Sequence, residues 1–405
     1  MGINDSGLSS QRLGRIDAFL RRRYIDTGRL PGTVLLIERH GEIAHSGALG
    51  LADVARGRPI AMDSIFRIFS MTKPVTSVAF MMLVEAGEIA LDDPVDRYIP
   101  AWRDLAVHVS GEAPPFRTRP PDRPMQVIDL LRHTSGLTLG LQNRTPVDAA
   151  YRAAAFNGMP GHRPPLGDMI AELADLPLDF SPGEAWNYSL STDVLGYLIE
   201  VVSGMSFRDF VQERLLRPLG MTDTDFYVPP QKSDRLTACY WTQPDGSTIL
   251  FDDPQTSYAL TMPKLLSGAG GLMSTAGDYL TFCRMLLAGG KAGDQRFLSR
   301  KTVALMTANH LPGGADLSQM SRSLFSEASN AGIGFGLGFA VTTDPVRAMV
   351  TSSVGEYDWG GAASTHFWID PLEELIVVFM TQLLPSTLYP LRRELRTLVY
   401  SAFDD

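Results

Sequence analysis

The strand-like segments of this chain lie at its two ends and the helix-like segments lie between them. A single sheet that uses all of them therefore needs the two ends of the 405-residue chain to come together. Near the N-terminus, residues 33–37 and 43–46 flank His40-Gly41, two apolar runs joined by a glycine-containing turn. Near the C-terminus, residues 336–342, 348–353, 364–369 and 375–381 have strand character and are separated by turn signals such as Asp344-Pro345 and Asp370-Pro371. Helices bracket both sets: Leu13, Ile16, Phe19, Leu20 and Tyr24 recur at helical spacing, and residues 386–403 read as a closing helix. The pattern predicts a discontinuous α/β domain, residues 1–93 and 262–405, with a mainly helical domain, residues 94–261, inserted into it. Inside the insertion, residues 127–133 and 192–203 are helical. Residues 138–168 form a long polar, glycine-containing segment, and connections of that length usually serve a function; part of this one is expected to border the functional site.

Composition removes several classes of activity. A net charge of -9 argues against a nucleic-acid partner, because displacing counterions from a polyanion needs concentrated Lys and Arg. The one basic cluster, Arg21-Arg22-Arg23, sits in a helical segment and reads as a solvated face. Cys239 and Cys283 lie far apart and lack the spacing of a zinc or redox motif, so neither a metal nor a disulfide is expected. The seven histidines are scattered, without an HExxH pattern. The first residues, Met1 to Ser6, lack a basic region followed by an apolar one, and no apolar run approaches the ~18 residues needed to span a bilayer. The expectation is a cytoplasmic protein without membrane attachment.

The chemistry centres on Phe69-Ser70-Met71-Thr72-Lys73-Pro74. A stretch rich in apolar residues and helix formers follows, ending near Gly87. Proline is tolerated in a first helical turn, where no internal amide bond is lost, and this places Ser70 at a helix N-terminus. A serine hydroxyl is a poor nucleophile until a base takes its proton. Residues three apart on a helix share a face, so Lys73 can reach Ser70 Oγ. The spacing alone is weak evidence, since with five lysines it arises by chance in about a third of such chains.

The surrounding sequence supplies the rest. Residues 65–98, the run Leu131-Arg132-His133-Thr134-Ser135-Gly136-Leu137, Tyr188-Ser189, residues 270–278 and Trp359-Gly360-Gly361 follow in order along nearly the whole chain. Together they strongly resemble the group formed by class C β-lactamases and family VIII carboxylesterases, relatives of the penicillin-binding proteins. The resemblance implies an α/β (α+β), β-lactamase-like fold, with an antiparallel five-stranded sheet flanked by helices and a mainly helical lobe inserted. It also implies that Tyr188 shares proton transfer with Lys73, and that the amides of Ser70 and Ala362 form an oxyanion hole. Trp359, Gly360 and Gly361 would then line the substrate site. His133 reads as structural, and Asp193 as a helix cap or a support for this network.

Two departures narrow the activity. Leu190 stands where the β-lactamases carry the asparagine that contacts a substrate amide, and Trp359 stands where penicillin-recognising enzymes carry a lysine. An indole in place of an ammonium replaces a carboxylate contact with an apolar wall. No Gly-x-Ser-x-Gly elbow is present, which removes the simplest support for a Ser-His-Asp triad. The reading is a serine carboxylesterase acting on short, uncharged esters through an acyl-enzyme, with no cofactor and a small-molecule ester as its partner. A β-lactamase or D,D-peptidase, an acyltransferase, and a non-catalytic penicillin sensor are the alternatives.

Overall fold

The computed structural model describes residues 6–156, 164–322 and 330–404. Residues 1–5, on which the leader-peptide reading rests, and residues 157–163 of the long connecting segment lie outside the described residues.

The elements that build the sheet and its layers are, in chain order, α1 (Ser10–Leu20), β1 (Gly32–Arg39), β2 (Glu42–Asp53), β3 (Arg58–Pro59), α2 (Thr72–Glu85), α3 (Ser191–Ser203) and α4 (Ala276–Leu287). They continue with β4 (Ile333–Phe335), β5 (Ala340–Thr342), β6 (Tyr357–Gly360), β7 (His366–Asp370), β8 (Leu375–Met380) and α5 (Leu391–Tyr400). The sheet runs β4-β5-β6-β7-β8-β1-β2-β3, every neighbouring pair antiparallel, so the first and last parts of the chain meet at β1 and β8. The expected count of five is corrected to eight among the described residues. The central run from β6 to β2 does hold five strands, and the extra three are short strands of two or three residues at the two edges.

Both faces of the sheet centre are buried, which is why β1 and β8 read as near-continuous apolar runs rather than alternating ones. In register, Val34 opposes Met380 and Leu36 opposes Val378; these side chains join the large core with Val75 and Val78 of α2 and Tyr279 and Phe282 of α4. The residues between them, Leu35, Ile37, Val377 and Phe379, turn to the other face and meet Leu13, Ile16 and Leu20 of α1 and Leu395 and Val399 of α5. Each such side chain contributes about 1.5–3 kcal/mol when fully buried. Helix α2 is buried along most of its length, which accounts for its apolar surface all round. No helix among the described residues is long and apolar enough to cross a membrane.

Three local expectations change. The strand expected over residues 336–342 is confined to β5, because Gly338 adopts φ +101° where it passes over α2; a Cβ there would lie 2.3 Å from Ser77 Oγ. Residues 348–353 form no strand. The Asp344 side chain instead accepts the amides of Val346 and Arg347 and caps the helical turn Pro345–Ala348. Residues 94–261 also contain strands: the hairpin Cys239–Thr242 and Thr248–Asp252 pairs with Leu383–Leu384 from the C-terminal part.

Candidate active site

Ser70 is carried by a single 3-10 turn, Phe69–Met71, that leads into α2, and Pro74 falls in the first turn of α2. The residue before Ser70 pays for this geometry: Phe69 has φ +43°, a conformation that costs a bulky residue about 1–3 kcal/mol. Its ring is anchored in a small apolar cluster with Cys239, Ala363 and Leu384, which holds the turn in place.

Three of the expected residues converge. Tyr188 OH donates to Ser70 Oγ at 2.5 Å, and Lys73 Nζ approaches the same oxygen at 3.4 Å. Lys73 also donates to the Ala269 carbonyl at 2.8 Å and lies 4.4 Å from the centre of the Tyr188 ring. The Lys73 amine is thus buried and surrounded by a carbonyl, a hydroxyl and a π face, unlike a surface lysine.

An aromatic cluster backs this centre. Trp359 stands 5.6 Å from Tyr188 and 5.4 Å from Phe335, ring centre to ring centre, and Trp186 stacks beside both Tyr188 and Phe335. His133 lies 5.1 Å from the Tyr188 ring, and its Nδ1 pairs with Ser189 Oγ rather than with the nucleophile. Burial, with the charge of Lys73 adding to it, holds the His133 imidazole well below its usual pKa and therefore neutral.

The glycine pair lines the cleft and is also shaped by protein neighbours. A Cβ on Gly361 would lie 2.5 Å from the Ile68 carbonyl oxygen and 2.2 Å from Thr365 Oγ1, and one on Gly360 would lie 2.3 Å from Arg392 Nη2. Both glycines therefore admit protein neighbours, not only a ligand: Gly361 lets the β6–β7 turn close on the segment leading to Ser70. That turn brings Ala362 to the cleft wall, tied by Gly361 N to Thr365 O and Ser364 N to Gly361 O.

The cleft has a volume of about 1220 Å3, and its lining includes Ser70, Lys73, Tyr188, Leu190, Trp359, Gly360, Gly361 and Ala362. Leu139, Leu141, Pro164, Pro165 and Asp168 line it too, so part of the 138–168 segment does border it, although that segment also contains the helix Pro146–Ala153. Sequence reasoning missed Arg392, Arg393 and Arg396, which bring α5 to the cleft wall; Arg396 is bonded to Glu356 and Asp358. The cleft wall thus carries arginines as well as the Trp359 indole, and the charge of Arg396 is met by its two carboxylate partners. The signal in the sequence was the clustering of arginines in the closing helix. Both cysteines are free and buried, and no group of three or more His, Cys, Asp or Glu side chains suited to a metal occurs among the described residues.

Comparison with known proteins agrees with this arrangement. A family model described as Beta-lactamase matches residues 17–401. Protein Rv1367c of Mycobacterium tuberculosis is 36% identical over 368 residues, 90% of this chain and 89% of that protein. Esterase EstB of Burkholderia gladioli is 30% identical, with 98% of this chain and 96% of EstB covered. Among solved structures, EstCE1, described as a hydrolase with promiscuous acyltransferase activity, matches with a TM-score of 0.80 at 28% identity, covering 96% of this chain and 99% of that one. The matches extend over almost the whole length on both sides, and the chain belongs to the Beta-lactamase family, as a serine hydrolase with esterase relatives.

Proposed function

We propose that this enzyme is a carboxylesterase that hydrolyses short-chain esters through an acyl-enzyme on Ser70. The observation that supports this reading best is the meeting of Tyr188 OH and Lys73 Nζ on one serine oxygen, at 2.5 and 3.4 Å, in a cleft where Leu190 and Trp359 replace an amide and a lysine. The Trp359 ring, packed against both Tyr188 and Phe335, forms an apolar wall of the cleft beside Ser70 that suits a short acyl group.

In the proposed reaction Ser70 Oγ attacks the ester carbonyl carbon while its proton passes to the Lys73–Tyr188 pair. The Ser70 and Ala362 amides hold the tetrahedral oxyanion. As the C–O bond breaks, the pair returns the proton to the departing alkoxide, releasing the alcohol. Water then attacks the acyl-serine, gives its proton to the same pair, and releases the acid as Ser70 regains its hydrogen.

The test is intact-mass detection of acyl-enzyme across a panel of aryl esters and β-lactams, with Ser70→Ala in parallel. The expected result is a mass increase equal to the acyl group on the unmodified protein, none on Ser70→Ala, and loss of turnover in the variant. Retained ester turnover in Ser70→Ala would end the proposal, and cephalosporin turnover far above ester turnover would redirect it to lactams. A second reading, acyl transfer, draws on the cleft volume, which exceeds the roughly 300–1000 Å3 of common small-molecule sites, and on the activity described for EstCE1. Adding alcohols to the same assay and measuring new ester product separates it from hydrolysis.

A further inference from the structure

The position of Lys73 depends on a residue that touches neither the nucleophile nor the lysine. The strongest tie on Lys73 Nζ is the Ala269 carbonyl at 2.8 Å, shorter than its approach to Ser70. A carbonyl on a connecting segment is a poor anchor unless the segment itself is fixed. Here the fixing group is a carboxylate: Asp193 Oδ1 accepts both the Ser267 hydroxyl at 2.6 Å and the Ala269 amide at 3.0 Å.

The segment is fastened elsewhere as well. Thr76 Oγ1, one turn along α2 from Lys73, donates to the Gly268 carbonyl at 2.8 Å, and Gly271 N donates to Ser267 O at 2.9 Å. Gly268 packs so closely on α3 that a Cβ there would lie 2.6 Å from the Thr192 carbonyl oxygen. Residues 267–271 are therefore wedged between α2 and α3, and Asp193, in the first turn of α3, supplies the one charged contact among these. Asp193 is buried at 1% exposure and also lines the cleft. A carboxylate placed there is unlike a helix cap, because the oxygen described turns away from the amides of α3 and toward the segment behind Lys73.

We infer that Asp193 is a positioning residue for the reaction: it sets the Ala269 carbonyl that aims Lys73 Nζ at Ser70. The inference rests on the assignment of Ser70, Lys73 and Tyr188 made above. Removing the carboxylate frees the segment and lets Nζ drift from Ser70 Oγ, and a displacement of about 1 Å at a reacting centre can cost about 100-fold in rate. Replacing it by the amide keeps an acceptor oxygen in the same place, so Asp193→Asn can hold the segment where Asp193→Ala cannot.

The experiment compares Asp193→Ala and Asp193→Asn with the unmodified protein, each normalised to the fraction of chains that can be acylated, and takes Ser70→Ala as the control that forms no acyl-enzyme. Asp193→Ala should lower kcat by about 10- to 100-fold with KM changed far less, since substrate binding does not use the lysine directly. Asp193→Asn, which keeps an acceptor for Ser267 Oγ and the Ala269 amide, should recover much of that loss in kcat. A purely structural Asp193 would lower the acylatable fraction and the melting temperature and change kcat and KM together, with no recovery in Asp193→Asn, and that result overturns the inference. So does normal kcat in Asp193→Ala. If Ser70→Ala itself keeps its activity, the failure belongs to the nucleophile assignment. If Asp193→Ala does not fold, Asp193→Ser, whose shorter side chain cannot serve both Ser267 and the Ala269 amide, decides by the same split between kcat and KM.

Discussion

Gly361 is squeezed between two neighbours of unequal compliance. Thr365 Oγ1 is the end of a side chain and can rotate away from a new methyl group, but the Ile68 carbonyl is backbone, two residues before Ser70, and a Cβ would lie 2.5 Å from it. Gly361→Ala should therefore push the β6–β7 turn and the nucleophile segment apart. Overpacking of this kind costs about 1–3 kcal/mol, and a shift at the reacting oxygen lowers turnover by about 10- to 100-fold. Denaturant unfolding and ester turnover of the acylatable fraction measure the two effects; unchanged turnover would mean that the contact does not set the nucleophile. The same residue shows what a sequence can reveal at this scale. The approach of Lys73 to Ser70 was legible because residues three apart on a helix are neighbours by geometry, although the spacing alone said little about chemistry. Tyr188 was legible only through its surrounding motif. The contacts of Asp193 with Ser267 and Ala269 cross 74 and 76 positions of chain, and no local periodicity records such a meeting.

At the scale of elements, α5 is held to the sheet by a cluster with too few hydrogens for its oxygens. Tyr400 OH lies 2.6 Å from Glu356 Oε2 and 2.6 Å from Asp370 Oδ2, yet a phenol has one hydrogen to give. Arg396 bonds Glu356 and Asp358 from the other side. Burial, against the pull of Arg396 and with the added repulsion of Asp358, pushes the Glu356 carboxyl up to about 7 from its ordinary 4.5, so the cluster keeps a proton that an unfolded chain would release. The sign follows directly. Because the folded state binds this proton more tightly, the contribution of Glu356 to stability is complete below pH 4.5 and is lost as the pH rises to about 7. Glu356→Gln should flatten the pH dependence of the denaturant midpoint across that interval, and an unaltered slope would assign the proton elsewhere. The helix itself was foreseen, but its start was not. Residues 386–390 were included in the expected helix, whereas the structure begins it at Leu391, after Pro390 at the N-cap. Strands fared best where both faces are covered, as in β1 and β8. They fared worst over residues 348–353, where the Asp344 cap forms a helical turn that leaves Val346 and Met349 exposed.

Across the whole molecule, the sheet separates two apolar layers with different work. The inner layer packs α2 and α4 under the sheet and thereby carries the turn that holds Ser70. The outer layer, where α1 and α5 cover Leu35, Ile37, Val377 and Phe379, contributes α5 arginines to the cleft but nothing from α1. This division was legible in outline, since strand patterns at both chain ends already required those ends to meet. Which face each helix would cover was not legible, because a strand buried on both faces gives no alternation to read. The division also predicts that stability and catalysis can be pulled apart. Ile16 of α1 is fully buried in the outer layer, and truncation of such a side chain to alanine costs about 2–5 kcal/mol. Ile16→Ala should therefore lower the denaturant midpoint substantially while kcat and KM, measured well below the unfolding transition, stay at the values of the unmodified protein. The comparison needs only one preparation, since the same sample serves for unfolding and for ester turnover. A fall in kcat that tracks the loss of stability would show that strain passes through the sheet from the outer layer to the nucleophile turn, and the two layers would then have to be treated as one.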